Sequence, residues 1–177
     1  MRVLNLYYSS TGNTAKVAKA ISQAVEDAGH EVETVEVAAD QEVDFLAYDF
    51  VFAGSGVYQW LPGKPMMEWL GARLKAYSAA GEVKPCCPRR PGKRAVVYCT
   101  YGGPHTGVNE ALPTTKWLGQ IFEHLGIQVV AEWHIVAEFH GKLARNNTAG
   151  RLGDITGRPT DDDLRRLAEQ VRGILRV

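Results

Sequence analysis

Several features that would divert this 177-residue chain from an ordinary globular fold are scarce or missing. There are three cysteines, an odd number at no framework spacing, so a disulfide-stapled secreted scaffold is excluded. Two of them, Cys86 and Cys87, are neighbours, and a bond between adjacent residues closes a strained ring. They read as thiols in a linker rich in Pro85, Pro88 and Pro91. Charge of one sign is also missing. Lys and Arg number 20, as do Asp and Glu, so no global field calls for nucleic acid or an anionic membrane. No apolar run approaches the ~20 residues that a membrane span needs. Met1 leads directly into the strand-like Val3–Tyr8, which leaves no room for a signal peptide, and a cytoplasmic setting is expected. His134 and His140 lack metal-ligand spacing with the cysteines, and no metal is expected.

What remains is one alternating pattern without internal repeats. The apolar run 3–8 suits a buried parallel strand. Val17, Ile21, Val25 and Ala28 then recur at helical spacing, with Gly29 as the stop. Val32 to Val37 alternates apolar and acidic residues, as a strand near a sheet edge does. Tyr48 to Ala53 reads as a third strand that ends in Gly54-Ser55-Gly56, followed by a helix from Lys64 to Tyr77. After the linker 80–92, Ala95 to Tyr101 is a fourth strand. A helix within 109–125 follows, with Pro113 near its true start, and Ile127 to Val136 is the fifth strand. The Gly-rich stretch 137–158 is a long excursion whose plain reading is a solvated loop; its Lys142, Arg145, Arg151 and Arg158 offer a partner surface. Thr160 caps the last helix, with Asp161, Asp162 and Asp163 at its positive end. The expectation is a single α/β domain over 1–177, doubly wound, with a five-stranded parallel sheet and helices on both faces.

Such sheets bind ligands beyond the carboxyl ends of their strands. The first loop there, Ser9-Ser10-Thr11-Gly12-Asn13-Thr14, joins strand to helix with hydroxyls, one glycine and free helix-start amides, which suits a dianion. It holds no Lys or Arg. It is not a Walker loop, because the Gly-Lys-Ser/Thr ending is absent. Gly54-Ser55-Gly56 also fails the dinucleotide fingerprint, since Gln59 stands at the third glycine position.

The segment Ser9–Thr14 after Tyr7-Tyr8 resembles the phosphate loop of flavodoxins, of pattern Thr/Ser-x-Thr-Gly-x-Thr. The third strand and its exit, Tyr48 to Tyr58, and the fourth strand's exit, Tyr98 to Gly103, are similar to the same family. The resemblance implies the strand order 2-1-3-4-5 with FMN at the switch point. It implies a phosphate held by Ser9, Ser10, Thr11, Gly12, Asn13 and Thr14. The second loop, Ser55, Gly56, Val57, Tyr58, Gln59 and Trp60, and the third, Thr100, Tyr101, Gly102, Gly103 and His105, would hold the flavin ring. Tyr58, with Trp60 beside it, and Tyr101 are the stacking candidates, each such pair being worth about 0.5–1.5 kcal/mol beyond area.

Two departures from that family bear on function. Gln59 stands where flavodoxins commonly place a glycine whose peptide flips toward the half-reduced flavin, and positive φ costs a non-glycine residue about 1 kcal/mol or more. Residues 54–65 and 99–109 contain no acid, whereas low-potential flavodoxins ring the flavin with acids. A flavin tuned nearer to quinones than to ferredoxins is therefore expected. The function implied is electron transfer through FMN with a redox partner protein or a small-molecule donor or acceptor. The alternative is an FMN-dependent enzyme resembling NAD(P)H/quinone oxidoreductases or the flavodoxin-type protoporphyrinogen oxidase. His105 could then deliver a proton, although an exposed loop histidine is its plainer reading.

Overall fold

The computed structural model describes residues 1–38 and 41–176. Its elements in chain order are β1 (Arg2–Tyr8), α1 (Asn13–Asp27), β2 (Glu31–Glu36), β3 (Phe50–Tyr58), β4 (Leu61–Pro62) and α2 (Lys64–Ala79). Then come β5 (Arg94–Tyr101), α3 (Leu112–His124), β6 (Gln128–Val136), α4 (Asn146–Ala149) and α5 (Asp161–Ile174). The main sheet runs β2-β1-β3-β5-β6, all parallel; with the two-residue β4 set aside this is the expected order.

Strand alternation divides the core in two. Leu4, Leu6, Val51, Ala53, Ala95 and Val97 face one side, against Trp69 and Leu70 of α2 and Leu118 and Phe122 of α3. Val3, Phe50, Phe52, Val96 and Tyr98 face the other, against Val17, Ile21 and Val25 of α1 and Leu167 and Val171 of α5. Burying each Leu, Ile or Phe contributes about 1.5–3 kcal/mol, so both helix layers are held by burial. One polar group enters the second core fully satisfied. Asn5 Nδ2 donates to Ala18 O (2.7 Å) and Ser22 Oγ (2.8 Å), and its Oδ1 accepts from Tyr98 OH (3.1 Å).

Two expectations are corrected. The third strand does not end at Ala53 but continues through Gly54-Ser55-Gly56 to Tyr58, and it starts at Phe50, because Tyr48 closes a 3₁₀ turn at Phe45–Ala47. The glycine at 54 serves close approach rather than a turn: a Cβ there would lie 2.0 Å from Cε2 of the buried Tyr98 ring. The excursion 137–158 is not merely solvated. It contains a 3₁₀ turn at Gly141–Leu143 and helix α4, and it is tied down through buried Asn147. Asn147 Oδ1 accepts from Phe139 N (2.7 Å), and its Nδ2 donates to Phe139 O (3.0 Å). Arg151 N donates to Pro104 O (2.8 Å), and Asn13 Nδ2 donates to Glu138 O (2.8 Å), so the segment folds back over the carboxyl ends of the strands. The last helix has the expected cap: Asp163 N donates to Thr160 Oγ1, and Asp163 Oδ2 accepts from Thr160 N.

Candidate functional site

The loop from β1 to α1 turns on Gly12, whose φ of 93° is left-handed and which precedes the first residue of the helix. Its N–H donates to Ser9 Oγ (3.1 Å), and Lys16 N donates back to Gly12 O (2.9 Å). The first turn of α1 contains no acidic residue, so the helix itself sets no carboxylate against an anion at its positive end. The open space above Gly12 leaves the loop's main chain accessible, with no atom within 4 Å of where a Cβ would stand. Thr14 is buried, and its Oγ1 lies 2.8 Å from Thr100 Oγ1, which ties the first loop to the end of β5. Ser10 Oγ lies 2.5 Å from Tyr58 OH, which ties it to the end of β3.

Beyond Tyr58 the chain reverses in a two-residue hairpin, with Tyr58 opposite Leu61 and Val57 opposite Pro62. Both central residues have positive φ, Gln59 at 50° and Trp60 at 69°, a geometry that usually selects Asn-Gly. Gln59 thus already occupies the region that it was expected to resist. Two hydrogen bonds hold the turn there: Thr114 Oγ1 donates to Trp60 O (2.9 Å), and Gly63 N donates to Ser55 Oγ (3.0 Å). The Ser55 hydroxyl is fully buried and spends its own hydrogen on Gly56 O (2.9 Å), so it shapes the hairpin rather than facing the cleft.

Two adjoining clefts open above these loops. The smaller, about 150 Å³, is lined by Ser10, Thr11, Asn13, Thr14 and Thr100 at its polar end. The larger, about 580 Å³ and chiefly apolar, is lined by Gln59, Trp60, Gly103, Pro104, His105 and Glu110, among others. Val57, Tyr58, Tyr101, Gly102, Phe139 and Leu143 border both, so the two form one continuous groove. Gly56 borders the smaller part, while Ser9 and Gly12 line neither part and are joined to each other by the Gly12 N to Ser9 Oγ bond.

Tyr101 is only 7% exposed and packs with Cys99 and Ala111, which makes it part of the floor. Burial pushes its phenol above the usual range. The aromatic that stands over the third loop is Phe139, which sequence reasoning missed. Gly102 and Gly103 are sites of close approach. A Cβ on Gly102 would lie 2.1 Å from Phe139 Cε2, and one on Gly103 would lie 2.6 Å from Gly107 O. His105 is exposed at the groove's edge, its N–H donating to Glu110 Oε1 (2.8 Å). Glu110 also accepts from Thr106 N (2.7 Å), and Glu138 Oε2 accepts from Gly157 N (3.0 Å). Two carboxylates therefore border a groove whose loops had looked acid-free; both fall outside the windows 54–65 and 99–109. The signal for Phe139 and Glu138 lay in the length of the 137–158 excursion and not in any motif.

A family model described as a flavodoxin domain matches residues 4–78. No curated protein matches the chain in sequence. In fold, the chain is similar to oxidised flavodoxin 1 from Bacillus cereus, at 14% identity and a TM-score of 0.69, covering 99% of this chain and 98% of that one. It is likewise similar to the flavodoxin of Streptococcus pneumoniae TIGR4, at 18% identity and a TM-score of 0.67, with complete coverage of both. Rubredoxin oxygen:oxidoreductase from Desulfovibrio gigas matches 99% of this chain with 35% of its own, at 16% identity and a TM-score of 0.61.

Proposed function

We propose that this chain, which is flavodoxin-like in fold and in its first 78 residues, binds FMN in the groove and moves electrons through it to or from a redox partner. One observation carries the reading: a single groove joins a helix start with hydroxyls and no carboxylate to an apolar cleft flanked by aromatic rings. The residues fit the group part by part. A phosphate would meet the main chain of Ser10–Thr14 and the hydroxyls of Ser10, Thr11 and Thr14, with no acidic residue in the first turn of α1. A flat ring would be held by Tyr58, Trp60, Tyr101 and Phe139, the aromatic residues that line the groove.

FMN when bound supplies a ring that accepts and returns electrons. The chain's own residues bind, orient and shield it. The Thr14–Thr100 and Ser10–Tyr58 bonds lock the loops to one another, so the cradle exists before the ligand arrives and little ordering remains to be done on binding. Asn13, whose Nδ2 donates to Glu138 O, places the excursion against the phosphate end and keeps Phe139 over the third loop. Trp60, 59% exposed, and Leu143, 52% exposed, leave one edge open to a partner.

No helix among the described residues is long and apolar enough to cross a membrane, and a cytoplasmic setting belongs to the proposal. The volume of the apolar cleft favours a second reading, in which NAD(P)H or a quinone enters above the ring and the chain is an oxidoreductase in its own right. Incubation with FMN and removal of free flavin should leave a yellow protein with one flavin per chain that dithionite bleaches. A colourless product contradicts the proposal. Rapid anaerobic bleaching by NADPH alone would favour the enzyme reading over the carrier.

A further inference from the structure

Seven large hydrophobic side chains other than Met1 are exposed among the described residues: Tyr58, Trp60, Leu61, Val108, Leu112, Leu143 and Leu152. All seven lie on the β3–β4 hairpin, on the segment leading into α3 and its first residue, or in the 137–158 excursion, and none lies on the outer faces of α1, α2 or α5. The loops that bear them are in contact. Thr114 Oγ1 bonds Trp60 O, which sets the start of α3 beside the hairpin, and Gly107 lies 3.4 Å from Leu152 Cδ2, measured from where its Cβ would stand. Apolar groups gathered in one place and absent elsewhere mark an interaction face.

The margin of that face is cationic. Lys142, Arg145 and Arg151 are exposed beside Leu143 and Leu152, and among the described residues they make no salt bridge. The neighbouring cations are already used: Lys64 faces Glu68, Lys116 faces Glu132, and Arg158 faces Asp163. The nearby carboxylates Glu110, Glu138 and Asp154 all accept main-chain N–H bonds. Three cations without a salt-bridge partner among the described residues therefore border an apolar face on a chain whose overall charge is zero, while the charges of Glu110, Glu138 and Asp154 are turned to main-chain N–H groups instead.

Resting on the FMN reading, we propose that this face docks an acidic redox protein, whose carboxylates meet Lys142, Arg145 and Arg151 while its own apolar centre covers Trp60 and Leu143. A protein is favoured over a lipid surface because, with FMN filling the groove, the face must bring a second redox group to the open edge beside Trp60 and Leu143, and a bilayer surface carries none. Charge complementarity of this kind acts mainly on the association rate and is screened by salt.

The test is stopped-flow reduction of the FMN-loaded chain by a chemically reduced plant-type [2Fe–2S] ferredoxin, an acidic donor, followed at the flavin absorbance. The second-order rate constant should fall at least tenfold between about 20 and 500 mM salt. A Lys142→Glu, Arg145→Glu, Arg151→Glu variant should lose at least tenfold at low salt while keeping the wild-type Kd for FMN. With basic cytochrome c as acceptor for the reduced chain, both trends should reverse: the wild type should speed up with salt, and the variant should be faster at low salt. A ferredoxin rate indifferent to salt and to the triple substitution overturns the proposal. So does cation-dependent sedimentation with phosphatidylserine vesicles alongside an unchanged ferredoxin rate. Failure of the wild type to take up FMN would instead remove the reading beneath the proposal, and it would show before any rate was measured.

Discussion

Substituting Gly102 by alanine is a sharp probe of how the groove is built. The new Cβ would stand 2.1 Å from Phe139 Cε2 and 2.4 Å from Cζ. Ordinary contact begins at 3.4 Å, so the ring must retreat by about 1.3 Å. Its main chain cannot follow, because Asn147 holds both Phe139 N and O. The side chain must therefore swing away from the third loop, and the flavin loses its cover on that side. An aromatic stack is worth about 0.5–1.5 kcal/mol, which is roughly a two- to twelvefold rise in the Kd for FMN. Forcing the ring aside should also lower stability by about 1–3 kcal/mol. Titrating the apoprotein with FMN and reading the quenching of flavin fluorescence measures the first effect, and urea unfolding measures the second. Phe139→Ala should weaken FMN by at least as much, and adding Gly102→Ala to it should cost little more, because the obstructing ring has gone. Wild-type affinity in Gly102→Ala, or losses that simply add in the double variant, would refute the account.

Other outcomes follow from the same geometry. Tyr98→Phe leaves Asn5 Oδ1 buried without its donor and should cost about 1–3 kcal/mol in denaturant unfolding, with FMN affinity unchanged. Thr160→Ala removes the cap of α5 and should cost about 0.5–2 kcal/mol. Burial tends to raise the Asp163 pKa, but its bonds from Arg158 and Thr160 outweigh that and hold it below the ordinary value. The stabilisation from Asp163 is therefore present above its unfolded pKa and is lost as pH falls through the lower folded one. Asp163→Asn should trail the wild type at pH 7, and thermal unfolding should show the gap closing below about pH 4. A single charge at about 10 Å, with an effective dielectric near 20, is worth about 1.7 kcal/mol, or about 70 mV. Glu138→Gln should raise the flavin potential by no more than that, and a redox titration placing the wild-type couples in the ferredoxin range would refute the expectation of a quinone-like potential.

The order of elements was legible because each strand is a short apolar run and each helix has a 3.6-residue apolar face with a glycine or proline at its boundary. The phosphate loop was legible for a local reason, since six small polar residues between a strand and a helix have few other uses. The rest depended on contacts between residues far apart in sequence. Gly54 read as the start of a loop, yet it continues a strand because Tyr98, 44 positions later, needs its empty side. Tyr101 read as a stacking face, but period-2 alternation at a strand end does not show which neighbour covers it, and the fold puts it in the floor. Phe139 and Glu138 reach the groove only because Asn147 and Asn13 fold the excursion back. Gln59 kept a left-handed turn that propensity disfavours because Thr114 and Ser55 hold its two ends.

The central claim is that the start of α1 holds a phosphate through main-chain donors and hydroxyls. Comparing FMN with riboflavin, which differ only in that phosphate, tests it most directly by isothermal titration of the apoprotein. Charge-assisted hydrogen bonds and the helix end together contribute about 3 kcal/mol, so FMN should bind on the order of 100-fold more tightly. Equal affinities would show that the loop does not read the phosphate.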